Sequence, residues 1–247
     1  MGIALGGLAV VGLLTLPASA ATAAGSPTFW ATSPAGSTTT GPGQSVSHKP
    51  TAAVQDGYID PFSAASATVD ATEVVPKVTC TAAQDNEGAY EYLQQFLLGY
   101  PTGSTVPSAD TVMVAIACPS STASQPTYAV GASVDSGSYS APVDVVPGTT
   151  LKVVIKMTTK VQTATVTGTG VNVTQSTKAG LTPAQLQVSY QVSDAPAPAF
   201  GTVAISGLKI NGAAFVSFTP ITMDDIPHST LGPLTAKGTA FTITDTA

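Results

Sequence analysis

The stretch VDVVPGTTLKVVIKMTTKVQTATVTGTGVNVTQST, residues Val143–Thr177, decides the fold of this chain. From Leu151 to Thr158 every second side chain is apolar and large, and two of the residues between them are lysines. This period of two predicts a β-strand with one buried and one solvated face. The run Thr163–Thr174 then alternates threonine with alanine, valine and glycine, and the branched Cβ of threonine and valine favours a second strand. Two long neighbouring strands predict an antiparallel sheet.

The composition sets limits on size and on partners. The chain has 247 residues, of which 43% are apolar and 9% are charged, and its formal net charge is −6. Eight lysines and no arginine are too few cations to neutralise a phosphate backbone, so no nucleic-acid partner is expected. The apolar content suffices for one sizeable core, and about 190 residues fit a single all-β domain.

The N-terminal segment, residues 1–24, has the features of a secretory signal. The apolar run Ile3–Leu16 is followed by a proline and by the small residues Ala18–Ala20, which is typical of a cleavage site. The run is short for a bilayer span. It also lacks the usual basic residues before it, and a lipid-facing anchor stays an alternative. We expect cleavage, a secreted protein, and no membrane contact afterwards.

Residues 25–56 and residues 57–247 differ in composition. The first segment is rich in Ser, Thr, Gly, Pro and Ala and has hardly any apolar cluster, which predicts a flexible linker. From Gly57 onward, short apolar runs alternate with turn residues. This pattern predicts one β-sandwich domain that extends to the end of the sequence.

Cys80 and Cys118 are the only cysteines. An even count in an exported chain favours a disulfide between them. Their spacing does not match a zinc site, and His48 and His228 lack the spacing of metal ligands. We therefore expect no metal and no other cofactor.

Short apolar runs bounded by turn residues predict strands throughout the domain and no long helix, the pattern of an all-β protein. The predicted strands are Ala67–Val75, Val78–Thr81, Tyr90–Leu98, Thr111–Cys118, Thr127–Val134, Leu151–Thr158, Thr163–Val173, Leu186–Val192, Gly201–Ile210, Ala214–Phe218 and Ala240–Thr244. The segment Tyr90–Leu98 also fits a helix, because Asp85 is a suitable N-cap and the larger apolar residues share a helical face. A strand suits its surroundings as well and is the prediction here.

Four stretches, taken in order, resemble the glutamic peptidases, the eqolisin family. Phe62–Cys80, which reads FSAASATVDATEVVPKVTC, resembles the opening segment of that family, and Tyr90–Leu98 falls on its aromatic strand. Val143–Val173 resembles its central hairpin, with Pro147-Gly148 at the turn, and Phe200–Val203 resembles its closing strand. The resemblance implies a secreted antiparallel β-sandwich of the concanavalin-like or jelly-roll kind, with a peptide-binding groove on one concave sheet face.

In the family that the chain resembles, a glutamate acts as general base on a water, and a glutamine amide holds the water and the oxyanion. The resemblance places the glutamine near Met113 or Val114 and the glutamate near Ala132 or Ser133. None of these residues can do either task, so Val114 and Ser133 mark the positions at which the catalytic pair is lost. This predicts an inactive relative of a peptidase.

Other residues could take over the lost roles. Asp135 lies two positions after Ser133 and would share its strand face, while Gln95 and Gln125 are amides in neighbouring segments. The alternative is that Asp135-Ser136-Gly137 forms a solvated turn, and this is the prediction here. A serine mechanism has no support, because the sequence contains no Gly-x-Ser-x-Gly motif.

The sequence therefore predicts a secreted β-sandwich with a binding or structural role. Its expected partner is a peptide or protein, or a cell-surface glycan, and a monomer is expected. Two other hypotheses stay open. One is an active acid endopeptidase with rearranged catalytic residues, and the other is a cell-surface glycan- or protein-binding module carried on the linker.

Overall fold

The computed structural model describes residues 54–62, 64–80, 90–118, 125–192, 199–214, 218–221, 229–235 and 237–245. The predicted signal, nearly all of the predicted linker and both histidines lie outside this part of the chain. The described residues form no helix, and thus none that could cross a membrane.

Fifteen β-strands occur in the described ranges, and each pairs with its neighbours in antiparallel fashion. In chain order they are β1 (Val54–Pro61), β2 (Ser66–Val74), β3 (Tyr90–Tyr100), β4 (Ser108–Ala117), β5 (Thr127–Ser133), β6 (Val143–Asp144), β7 (Thr150–Thr158), β8 (Gln162–Gly168), β9 (Val171–Thr177), β10 (Thr182–Val192), β11 (Thr202–Ile210), β12 (Ala213–Ala214), β13 (Thr219–Pro220), β14 (Ser229–Leu231) and β15 (Phe241–Asp245).

These strands form two sheets. One sheet has seven strands in the order β13-β1-β10-β3-β4-β5-β6. The other has eight, in the order β14-β15-β11-β2-β7-β8-β9 with β12 paired to β11. The two sheets pack face to face around one apolar core, so the prediction of an all-β antiparallel sandwich is confirmed.

The lysine-bearing strand is β7, which lies between β2 and β8 in the eight-stranded sheet. Its apolar side chains are all 0% exposed inside the sandwich: Leu151, Val153, Ile155 and Met157. Lys152 and Lys156 are exposed on the outward face. One face of the strand is thus buried and the other solvated, as the alternation predicts.

The run Thr163–Val173, expected to be one strand, forms two. β8 ends at Gly168 and β9 begins at Val171, with a turn at Thr169-Gly170 between them. Gly170 has a φ of 75°, a left-handed conformation that glycine adopts without steric cost. The prediction missed this turn, and β9 is an edge strand of its sheet.

The first strand, β1, begins at Val54, ahead of the predicted start of the sandwich at Gly57. The end of the predicted linker therefore belongs to the sheet, where β1 pairs along its whole length with β10. At Gly57 the two backbones are so close that an added Cβ would lie 2.2 Å from the carbonyl oxygen of Val188. Glycine is required there because it has no Cβ.

Two further expectations concern the segments near the cysteines. The strand prediction for Tyr90–Leu98 is confirmed, since these residues lie within β3. The expected strand Val78–Thr81 is wrong for its described part, which forms only one isolated bridge, between Thr79 and Ala199.

Cys80 and Cys118 form a disulfide, as predicted. Cys80 follows β2 of the eight-stranded sheet, and Cys118 follows β4 of the seven-stranded sheet. The bond therefore joins the two sheets. Both cysteines are buried in the apolar core.

Replacing both cysteines by alanine should lower the free energy of unfolding by about 4 kcal/mol, because the unfolded chain regains the freedom that the closed loop removes. The two residues are 38 positions apart in sequence. Denaturant unfolding of wild type and of the double variant measures the difference. Alkylation of the native protein without reductant checks the bond itself, and two alkylated cysteines would contradict it.

Candidate functional site

One face of the seven-stranded sheet points away from the core, and we call it the outer face. Its side chains come from alternate residues of β1, β10, β3, β4 and β5. The pairing register aligns one row across these five strands, formed by Ile59, Gln187, Phe96, Thr111 and Ser133. The polar groups of this row are hydroxyls and an amide, which exchange hydrogen bonds but carry no charge.

The chain after β5 folds back onto the outer face and places Tyr139 on it. The Tyr139 ring belongs to a buried cluster with Met113, Ala115, Ala117 and Ala129. Its hydroxyl shares hydrogen bonds with the side chains of Thr111 and Ser133, and burial raises the pKa of Tyr139 above its ordinary value. Tyr139 is 8% exposed and Ser133 is 3% exposed, so Tyr139 closes this part of the outer face to a ligand.

The two positions assigned to the lost catalytic pair lie on opposite faces of the sheet. Ser133 faces outward, whereas Val114 lies opposite Leu93 and Val130 in the core, where all three are 0% exposed. Val114 therefore cannot share a groove with Ser133. Of the two residues considered on β4, Met113 is the one on the outer face.

A glutamate and a glutamine do meet in this structure, but inside the sandwich. Gln95 Nε2 on β3 donates a hydrogen bond to Glu73 Oε2 on β2 at 2.9 Å, across the gap between the two sheets. Glu73 is 1% exposed and Gln95 is 0% exposed. Burial raises the pKa of Glu73 to about 7, and the hydrogen bond from Gln95 opposes that rise. We call these two residues the Glu73–Gln95 pair.

The strand pattern contains the signal that locates Glu73, although the sequence prediction did not use it. In β2 the residues buried at every second position are Ala67, Val69, Ala71 and Glu73. Gln95 alternates in the same way with Leu93 and Leu97, both 0% exposed. The candidate amide of Gln95 therefore points into the core and away from the outer face.

Asp135 lies in an exposed turn after β5 with a φ of 55°, in agreement with the predicted turn. Its backbone N–H donates a hydrogen bond to Asp110 Oδ1 at 3.0 Å. Asp110 is 0% exposed, and burial raises its pKa to about 7, with a smaller contribution from the charge of Asp135. Among the described residues, no group of three or more acidic, cysteine or histidine side chains could hold a metal ion.

Gln125 is exposed just before β5, whereas Asp135 follows the same strand. Seven strand residues separate them, which corresponds to about 20 Å. Gln125 borders a groove of about 420 Å³ that is also lined by Lys77 and Asp144. The three candidates, Asp135, Gln95 and Gln125, therefore do not meet in one site.

No protein-family model and no curated protein sequence matches this chain. Solved structures do match it. Scytalido-glutamic peptidase with a peptide-based transition-state analogue matches with a TM-score of 0.57 and 13% identity, over 78% of this chain and 98% of the peptidase. The same peptidase with a transition-state analogue inhibitor gives the same values. The chain has the glutamic peptidase fold.

The glutamic peptidase fold does not by itself bring the chemistry of that enzyme. At 13% identity the likeness concerns the arrangement of strands, while function depends on the side chains placed on them. Peanut lectin with a nine-residue peptide has a TM-score of only 0.26, which is too low to support a structural argument.

Tyr139→Phe should lower the free energy of unfolding by about 1–2 kcal/mol, because two buried hydroxyls lose their hydrogen-bond partner. Tyr100→Phe is the control, since Tyr100 is only half-buried at the end of β3, and it should change stability by about 0.5 kcal/mol or less. Denaturant unfolding of both variants gives the comparison. Equal stability of the two variants would contradict the hydrogen bonds assigned to Tyr139.

Proposed function

We infer that this is a secreted protein that uses the glutamic peptidase fold to bind an extended peptide without hydrolysing it. The observation that carries the inference is the position of the Glu73–Gln95 pair. These are the two residue types that glutamic peptidase chemistry requires, and here both lie in the core between the sheets.

The composition of the outer face supports the absence of hydrolysis. Asp144, opposite Ala129 on the edge strand β6, is the only carboxylate that the described strands direct to this face. The hydroxyl of Ser133 is hydrogen-bonded to Tyr139 and has no base beside it among the described residues. Loss of a general base lowers a rate by about 10²–10⁴, and loss of one oxyanion donor lowers it by about 10²–10³.

The surroundings of the Glu73–Gln95 pair support the same conclusion. A peptide could reach Glu73 only by entering between two sheets whose side chains are packed as densely as an organic crystal. Leu93 and Leu97 flank Gln95 on β3 and are fully buried. The pair therefore has suitable functional groups but no path for water and substrate.

Secretion is supported by the disulfide and by the N-terminal segment. A bond such as Cys80–Cys118 persists in oxidising compartments and is rare where thiols are kept reduced. The apolar run Ile3–Leu16 with small residues after it is typical of an export signal.

The part of the outer face that Tyr139 leaves open supports a peptide as the ligand. On β10, Gln185, Gln187 and Gln191 are half-buried on this face, and Gln187 lies opposite Phe96. Amides in a row can hydrogen-bond an extended backbone. The matched peptidase was crystallised with a peptide-based ligand.

The purified mature protein should not cleave denatured protein substrates between roughly pH 2 and 5, the range in which a carboxyl base could act. Asp135→Asn is the matched variant, because Asp135 is an exposed carboxylate two residues after the family position at Ser133. Cleavage by wild type that is lost in Asp135→Asn would overturn the inference and favour the acid endopeptidase. Inactivity of both proteins agrees with it.

The protein should bind members of an immobilised random peptide library at about pH 4, and Gln187→Ala should weaken that binding about tenfold or more, as expected when hydrogen bonds to a ligand are lost. Gln175→Ala on β9 of the other sheet is the control and should bind as wild type does. Glycan-array binding without peptide binding would instead favour the glycan-binding module.

A further inference from the structure

The Glu73–Gln95 pair leaves two buried oxygen atoms without a hydrogen-bond partner, Glu73 Oε1 and Gln95 Oε1. Both atoms are acceptors when Glu73 is ionised, and buried acceptors without a donor are destabilising. One hydrogen on Glu73 Oε1 provides the missing donor, because a carboxylic O–H can donate to an amide oxygen. Together with the bond from Gln95 Nε2, such an O–H would close a ring of two hydrogen bonds between a neutral acid and an amide.

Among the described residues, the surroundings of the pair contain no cation that would keep Glu73 ionised. The residues paired with Glu73 and Gln95 in their own sheets are all apolar and buried: Leu151, Ile205, Val112 and Val188. The other titratable groups that the surrounding strands direct into the core are acids or phenols: Asp110 on β4, Tyr128 on β5, Tyr190 on β10, and Asp56, Tyr58 and Asp60 on β1. Every lysine in the described ranges is exposed.

We propose that the Glu73–Gln95 pair is a proton-dependent link between the two sheets, closed while Glu73 carries its proton and broken when that proton passes to water. The link lies at the centre of the sandwich, because β2 is the middle strand of one sheet and β3 the middle strand of the other. Ionisation of Glu73 leaves a carboxylate that has one hydrogen bond and lies among aliphatic side chains. This weakens the contact between the sheets.

The raised pKa of Glu73 agrees with this geometry and sets the direction of the pH dependence. Because the pKa is about 7 in the folded protein and 4.5 in the unfolded chain, the folded state holds the proton more tightly. The stabilising contribution is therefore complete below about pH 4.5 and is lost as the pH rises through 7. The sandwich is most stable in acidic surroundings. This pH dependence arises in the core and does not depend on what the outer face binds.

Asp110 adds to the same dependence through independent contacts. It is 0% exposed, its Oδ2 has no hydrogen-bond partner, and burial raises its pKa to about 7. The Asp110 carboxyl accepts a hydrogen bond from the turn at Asp135, whereas Glu73 is hydrogen-bonded to the opposite sheet. An experiment on the link must therefore separate the two carboxyls.

Glu73→Gln is the decisive variant, because two amides of the same shape can form the closed pair at every pH. Between about pH 4.5 and 7.5, the unfolding equilibrium constant of wild type should rise about 100-fold more than that of Glu73→Gln. Asp110→Asn should remove the part of the pH dependence of stability that comes from Asp110 and leave the part that comes from Glu73. Parallel stability curves for wild type and Glu73→Gln would overturn the proposal.

Asp70→Asn is the matched control, since Asp70 lies on the same strand β2 but on its outward side. Its stability should follow that of wild type across the pH range.

Wild type alone gives a second measurement that does not require the variant to fold. The carboxyl carbon of Glu73, observed by NMR in protein labelled only at glutamate so that Asp110 gives no signal, should titrate near pH 7. Titration of Glu73 near its unfolded value would overturn the proposal as well.

Discussion

Burial of alternate side chains between the two sheets is the interaction on which the other features of this protein depend. A slip of β7 by one residue would turn Lys152 and Lys156 into the core and expose the four apolar side chains that now fill it. The register is therefore fixed by the hydrophobic effect. A polar side chain at an inward-facing position of a strand is buried together with its apolar neighbours. This explains how Glu73 and Gln95 come to face each other.

The same interaction decides which elements the sequence predicts. β7 was predictable because one of its faces is solvated, so lysines and apolar residues alternate. β3 was ambiguous because it lies between β10 and β4 with both faces buried, at Leu97 on one side and at Phe96 on the other, and a strand covered on both faces loses its alternation. β1 was missed because Asp56 and Asp60 stand at its inward-facing positions, where apolar residues are expected.

The candidate site was less predictable than the fold. The resemblance pointed to strands β4 and β5, but whether Met113 or Val114 faces outward depends on a register that no short motif determines. The closure of the outer face by Tyr139 depends on the path of the chain after β5, where the turn at Asp135 sends it back over Thr111 and Ser133. A motif gives the identity of a residue, whereas catalysis also requires that the residue meet water and substrate.

The order in which partner strands occur along the chain has a consequence for how this protein is made. β1 pairs with β10 and β13, and β2 pairs with β7 and β11, so each sheet is completed only by strands from the second half of the chain. Pairing between distant segments requires closure of long loops first, and such chains fold slowly. The first strands to leave the ribosome have no partners until most of the chain has followed.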